Sequence, residues 1–403
     1  MIEGLIAIYR NLVRNTNYKT YRYLYKQFHI KDKLTGLVGP RGTGKTTLLL
    51  QFIKEKIKDK DECIYISLDN IYFSTNLLFD TVRKCYEEYG IRYFFLDEVH
   101  KYKTWNRELK NIYDSYPDIK VVFSGSSSID LIKGSYDLSR RGTLFYLGGM
   151  SFREYLYFKN IAEIEVFSFE EILKDRAMLE EKVASIKRLK GHFKDYLKFG
   201  FYPFFMEDRE GYYGKLFRIV EKTVFEDISN FYKLKTENLW YFKKILSYLA
   251  TIPPGELNRN SIAKNIGLDN KTVNHYLNIL SETGLALLIS SGKKGSALLK
   301  SREKIMLDNP NLYYAIADAI VKCPDMGTVR EIFFVKMLKN AGIDVFFSKT
   351  GDYEAEGYVF EIGGKSKGKR QLKGNRENSF VVKDDILYGG KREIPLYLFG
   401  FLY

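Results

Sequence analysis

The stretch from Leu34 to Thr47 reads LTGLVGPRGTGKTT and continues without a break into LLLQFIKEKIK. An apolar run suited to a buried strand ends in a glycine-rich loop, and the loop opens a segment with helical apolar spacing. This is the G-x-x-x-x-G-K-[ST] pattern in the strand, loop and helix context it requires. Gly39, Gly42 and Gly44 let the backbone curl until its N–H groups face phosphate oxygens, with the positive end of the helix behind them. The loop residues Gly39, Pro40, Arg41, Gly42, Thr43, Gly44, Lys45, Thr46 and Thr47 are therefore the expected cradle of ATP. Lys45 reaches the β- and γ-phosphates, and the Thr46 hydroxyl serves Mg2+, whose octahedral shell is otherwise filled by water and phosphate.

Further along, the apolar run Tyr93-Phe94-Phe95-Leu96 ends in Asp97-Glu98, followed by Val99-His100. A carboxylate pair at the end of a buried strand suits a nucleotide-hydrolysing centre. Asp97 holds Mg2+ and Glu98 polarises the attacking water. Two more apolar runs, Cys63–Leu68 and Ile119–Phe123, alternate with helical patterns, which points to an α/β fold around a parallel sheet. Ligands of such sheets sit at the carboxyl ends of the strands. The serines after Phe123 fall there, with Ser124 or Ser126 as the polar residue beside the γ-phosphate.

Taken together, GPRGTGKTT, FFLDEVH, FSGSSS, DLSRRG and SFREYL resemble the archaeal and bacterial AAA+ family often called AAA_14, over roughly residues 20 to 160. The resemblance implies an ATPase core and a C-terminal domain of unknown function. It also gives Arg140 or Arg141 the role of stabilising γ-phosphate charge, from the same chain or a neighbour in a homo-oligomer. The expected organisation is a core with an N-terminal helix over 1–150, a helical lid over 151–238, a winged helix over 239–305 and a PD-(D/E)xK-like α+β domain over 306–403.

The winged-helix reading rests on Asp269 as a helix cap and on an apolar face of Val273, Tyr276, Leu277 and Leu280. The opposite face carries Lys271, Asn274, His275 and Asn278, and Lys293 and Lys294 lie in a basic wing. Such a surface suits double-stranded DNA, with amides on base edges and lysines on phosphates; docking on the chain itself or on a partner protein is the alternative. In the last region Glu331, Glu356, Glu361 and Lys365 are the available parts of a metal-dependent nuclease centre. The position two after Glu361 is Gly363 rather than lysine, so a degenerate binding or scaffold domain is expected.

Composition agrees with a globular chain of several units: 403 residues, 45% hydrophobic and 28% charged, with no apolar run near the roughly 20 residues that span a bilayer. The opening MIEGLIAIYRNLVRN reads as an amphipathic helix rather than a signal peptide, which suggests a cytoplasmic protein. A net charge of +14 favours an anionic partner such as nucleic acid, a solvated basic surface being the plainer reading. Cys63, Cys85 and Cys323 have no metal-ligand spacing and are expected as buried thiols. The resulting reading is an ATPase coupling Mg-dependent hydrolysis to conformational change on DNA or a partner. Its rivals are a nucleotide-switched DNA-binding regulator with little turnover and an ATP-gated nuclease.

Overall fold

The computed structural model describes residues 2–126, 141–292, 303–368 and 378–403. Ser127, Ser128, Arg140, Lys293, Lys294, Lys369, Arg370 and Gln371 lie outside them. The chain divides into two compact units, Met1–Gly148 and Gly149–Tyr403.

The first unit is built on five strands: β1 (Leu34–Gly39), β2 (Cys63–Ser67), β3 (Tyr93–Asp97), β4 (Lys120–Ser126) and β5 (Gly142–Tyr146). They lie in the order β2-β3-β4-β1-β5, and every pairing is parallel. All six residues of β1 are buried, because helices cover both faces of a parallel sheet and leave no side for polar residues. Helix α1 (Ile2–Asn15) buries Ile2, Leu5, Tyr9 and Val13 against β2 and α2 (Lys45–Lys56). In turn α2 presses Leu48, Leu49, Phe52 and Ile53 inward, each contributing about 1.5–3 kcal/mol by leaving water. Two further helices, α3 (Leu78–Tyr89) and α4 (Trp105–Ser115), pack on each other and complete the α/β layering. Cys63 and Cys85 are buried here, and burial pushes both thiols up to about 12. Cys323, in the second unit, is exposed, contrary to the expected burial.

The second unit holds two sheets. A three-stranded antiparallel sheet is ordered β6 (Gly255–Glu256), β8 (Glu303–Leu307), β7 (Ala286–Ser290). A mixed sheet is ordered β13 (Glu393–Pro395), β12 (Ser379–Lys383), β11 (Tyr358–Gly363), β10 (Tyr353–Ala355), β9 (Phe346–Phe347). Before β7, the helices Arg259–Ile266 and Asn270–Glu282 pack together across Gly267, whose φ of 79° closes the first of them. Asp269 caps the second through the N–H groups of Lys271 and Thr272, and Val273, Tyr276, Leu277 and Leu280 are buried, as their spacing foretold.

Residues 151–238 and 306–403 pack on one another. Phe193, in the helix Leu189–Phe199, meets Phe333 edge-on with ring centres 5.0 Å apart, and Phe152 meets Phe401 at 5.6 Å. Buried Asn311 accepts from Phe201 N–H and donates to the carbonyls of Tyr196 and Leu197. Ser151 and Arg153 both donate to the main-chain oxygen of Tyr403. The segment read as a helical lid thus shares its apolar interior with residues 306–403. Among the described residues no helix is long and apolar enough to cross a membrane.

Candidate functional site

The loop Gly39–Thr46 joins β1 to α2 at the carboxyl end of the sheet, between the directions in which the chain leaves β1 and β4. Gly42 and Gly44 take φ of 81° and 92°, a region open to glycine at little cost. A Cβ on Gly39 would stand 2.2 Å from the Leu147 carbonyl oxygen, so no side chain fits there. Thr43 is fully buried and donates to Pro40 O at 2.9 Å, which fixes the curl from inside. Lys45 lies buried under the loop and donates to the carbonyls of Gly39 at 2.8 Å and Pro40 at 3.0 Å. Arg22, 5% exposed, donates to the carbonyls of Thr43 and, at 2.8 Å, Gly148. Nothing in the sequence marks Arg22, since it lies far from the motif and outside any pattern.

Asp97 is 1% exposed and ringed by neutral donors. Its Oδ2 accepts from Thr46 Oγ1 and from the Tyr65 hydroxyl, each at 2.6 Å. Its Oδ1 accepts from Ser124 Oγ and from Glu98 N–H, the latter at 3.0 Å. Of the two candidate serines, it is therefore the Ser124 side chain that reaches this carboxylate, while Ser126 engages His100 through its backbone. Burial, and then the adjacent Asp97 charge, push the Tyr65 hydroxyl far above its ordinary value, so it remains a donor. Tyr65 comes from β2, and only the parallel register Ser67↔Asp97 brings it into reach.

Thr46 and Asp97 thus bring one hydroxyl and one carboxylate together, a donor set that fits Mg2+ completed by phosphate and water. Among the described residues no three His, Cys, Asp or Glu side chains converge on a metal. Beside this pair, Glu98 takes φ 54° and ψ 39°, uncommon for a residue with a side chain. Its Oε2 lies 3.3 Å from His100 Nε2.

Arg141 takes a different place from the one expected if it acts on its own chain's nucleotide. Gly142 pairs with Leu34 at the amino end of β1, so Arg141 sits one strand length, roughly 16 Å, from the phosphate loop. It pairs there with Asp114 at 3.2 Å and lies over the Tyr113 ring. This is the contact of a surface arginine with an acidic neighbour.

In the second unit Lys271, His275 and Asn278 are exposed on the helix Asn270–Glu282. Asn274 is half-buried, and its Oδ1 accepts from Arg259 Nε at 2.8 Å, so its carbonyl oxygen is already engaged. Lys293 and Lys294 lie outside the described residues.

The carboxylates near the C-terminus group differently from expectation. Glu356 sits exposed at the β10–β11 turn with φ 49°, and Lys365 is exposed. The cluster is instead Glu331, Asp352 and Glu361 with Lys304 and Lys367. Lys367 Nζ lies 2.6 Å from Glu361 Oε1, an ion pair set off the hydrogen-bonding direction, and Lys304 lies 3.6 Å from Glu331. A Cβ on Gly363 would lie 2.5 Å from Lys367 Cγ, so this lysine runs through the space a side chain at 363 would take. Burial, with Asp352 adding its charge, raises the carboxyls of Glu331 and Glu361 above their ordinary range.

Comparison with known proteins gives what the chain is similar to. Residues 31–156 match the family described as an AAA domain, AAA_14, and residues 190–319 match a domain of unknown function, DUF8612. An uncharacterized protein of Methanocaldococcus jannaschii is 31% identical over 274 residues, 64% of this chain; the match spans 57% of that relative's own length. Among solved structures, RuvB of Thermotoga maritima is 14% identical over 71% of this chain and 88% of its own, with a TM-score of 0.26. A DNA replication initiation factor is 18% identical over 64% and 85% respectively, at 0.24.

Proposed function

We propose that the first unit, whose residues 31–156 match an AAA domain family, binds Mg·ATP, hydrolyses it, and passes the resulting change to DNA or a partner. The observation that carries the reading is the meeting of the Thr46 hydroxyl and the Asp97 carboxylate at 2.6 Å, with Lys45 buried beneath the loop and Glu98 alongside. Bound Mg·ATP supplies the phosphoanhydride to be cut and a divalent charge against its oxygens. Lys45 exchanges the Gly39 and Pro40 carbonyls for phosphate oxygens. Thr46 and Asp97 would hold the cation, and the Tyr65 and Ser124 hydroxyls would keep the Asp97 carboxylate in place. Glu98 orients the attacking water and takes its proton.

The test is steady-state hydrolysis by the full chain and by Glu98→Gln, with and without duplex DNA. The amide cannot take a proton yet leaves Asp97 untouched, so ATP should stay bound while turnover falls by about 10²–10⁴-fold. Wild-type turnover in that variant would show that another base operates. Acceleration by DNA favours a machine working on nucleic acid. Measurable turnover indifferent to DNA moves the partner to protein, and near-zero turnover with tight ATP binding favours the nucleotide-switched regulator.

The DNA reading is supported by the net charge of +14 and by the exposed Lys271, His275 and Asn278 on a capped helix. The engaged Oδ1 of Asn274 leaves Asn278 as the better reader of base edges.

A further inference from the structure

Among the described residues, Glu98, Ser126 and Arg41 all approach the ring nitrogens of His100. Its side chain is 4% exposed, and Nε2 lies 3.3 Å from Glu98 Oε2. The N–H of Ser126, at the end of β4, donates to Nδ1 at 3.4 Å, and Arg41 Nη2 from the phosphate loop lies 3.5 Å from Nε2. Ser126 N–H and the Arg41 guanidinium can only donate, whereas the Glu98 carboxylate accepts. A proton on Nδ1 would set the ring against Ser126 and leave Glu98 facing a bare nitrogen. A proton on Nε2 satisfies Ser126 and Glu98 together, with the Arg41 charge beside the carboxylate. The backbone of β4 thereby fixes the tautomer, and the tautomer fixes the carboxylate.

Glu98 needs such a hold. Its side chain is 25% exposed, and its left-handed backbone turns the chain straight into the short helical turn Val99–Lys101. That turn, closed by Lys101 N–H on Glu98 O at 2.9 Å, is what folds His100 back over the residue two before it.

We propose that His100 is a positioning residue for ATP hydrolysis: it grips one oxygen of Glu98, aims the other at the attacking water, and takes its own orientation from the Ser126 peptide. The role rests on the reading of Glu98 as the base. A general base oriented by a third group is a recurrent arrangement, and misplacing a reacting group by an ångström costs on the order of a hundredfold.

The experiment compares wild type, His100→Ala, His100→Gln, Glu98→Gln and the double variant His100→Ala/Glu98→Gln, reading kcat, KM for ATP and direct ATP affinity on the full chain. His100→Ala should lower kcat by roughly ten- to a hundredfold and leave ATP affinity within about twofold of wild type. His100→Gln, whose amide Nε2 can still donate to Glu98, should recover most of the loss. In the Glu98→Gln background the alanine change should cost nothing further, because the group it positions is gone. Wild-type kcat in His100→Ala overturns the proposal, and so does a joint loss of kcat and affinity that glutamine does not restore, or an additive double variant. Normal turnover by Glu98→Gln would overturn the assignment of Glu98 itself and this role with it, whereas a blocked Glu98→Gln beside an unaffected His100→Ala overturns His100 alone.

Discussion

Asp97, the last residue of β3, and Glu361, within β11, are both 1% exposed carboxylates, yet they are compensated in opposite ways. Asp97 is held by three hydroxyls and a backbone N–H, all neutral and all able to give way to a cation or to water. Glu361 is held by the ammonium of Lys367. A carboxylate ringed by hydroxyls keeps its charge available, and one paired with lysine has already neutralised it. Under the proposed function the first would serve a cation, whereas the second is compensated within the chain, which supports reading the C-terminal sheet as a scaffold.

The largest effect that would break the comparison is in ATP binding. Lys45→Ala removes the only ammonium the loop supplies to the phosphates, and should weaken ATP affinity by on the order of a hundredfold or more in titration calorimetry; unchanged affinity would remove the phosphate assignment. Next comes Lys367→Met, which strands a buried Glu361 and should destabilise the folded chain by about 2 kcal/mol, below the full cost of a broken buried pair because Lys367 is partly exposed. Denaturant midpoints measure it, and metal-dependent cutting of DNA by the wild type, lost in Glu361→Gln, would overturn the closed-network view altogether. Tyr65→Phe sharpens the contrast with a smaller cost of about 1 kcal/mol, since Asp97 retains its other neutral donors, and a weaker Mg2+ dependence of turnover should accompany it. The smallest effect is on DNA. Replacing Lys293 and Lys294 should lower the slope of log affinity against log salt by roughly 2, near 0.9 per lost phosphate contact, leaving sequence preference unchanged.

The phosphate loop was legible because its chemistry is local: glycines for the curl, lysine and threonine at the helix start, all within one short run. The carboxylate pair was legible for the same reason. The donors around Asp97 were not, because Tyr65 and Ser124 arrive from other strands, and parallel register is settled by the whole sheet rather than by neighbours in sequence. His100 stood in plain view two residues after Glu98, but its contact depends on a left-handed turn that few side-chain-bearing residues adopt. Near the C-terminus the sequence offers Glu356 as the acidic partner, whereas the hairpin pairs Tyr353 with Phe360 and so sets Asp352 opposite Glu361. The lysine was sought at 365, and only the open space above Gly363 shows why 367 takes the place. The aromatic helices after Ser151 announced burial without announcing against what.

Arg22 joins two points that are far apart along the chain: the Thr43 carbonyl in the middle of the phosphate loop and the carbonyl of Gly148, where the chain leaves the first unit. The same stretch presses on the loop a second time, since Leu147 O fills the space beside Gly39. Loop and exit segment are in effect one mechanical part riveted by a guanidinium. Under the proposed function, a shift of the loop on taking up phosphate would be felt at Gly148 through one side chain.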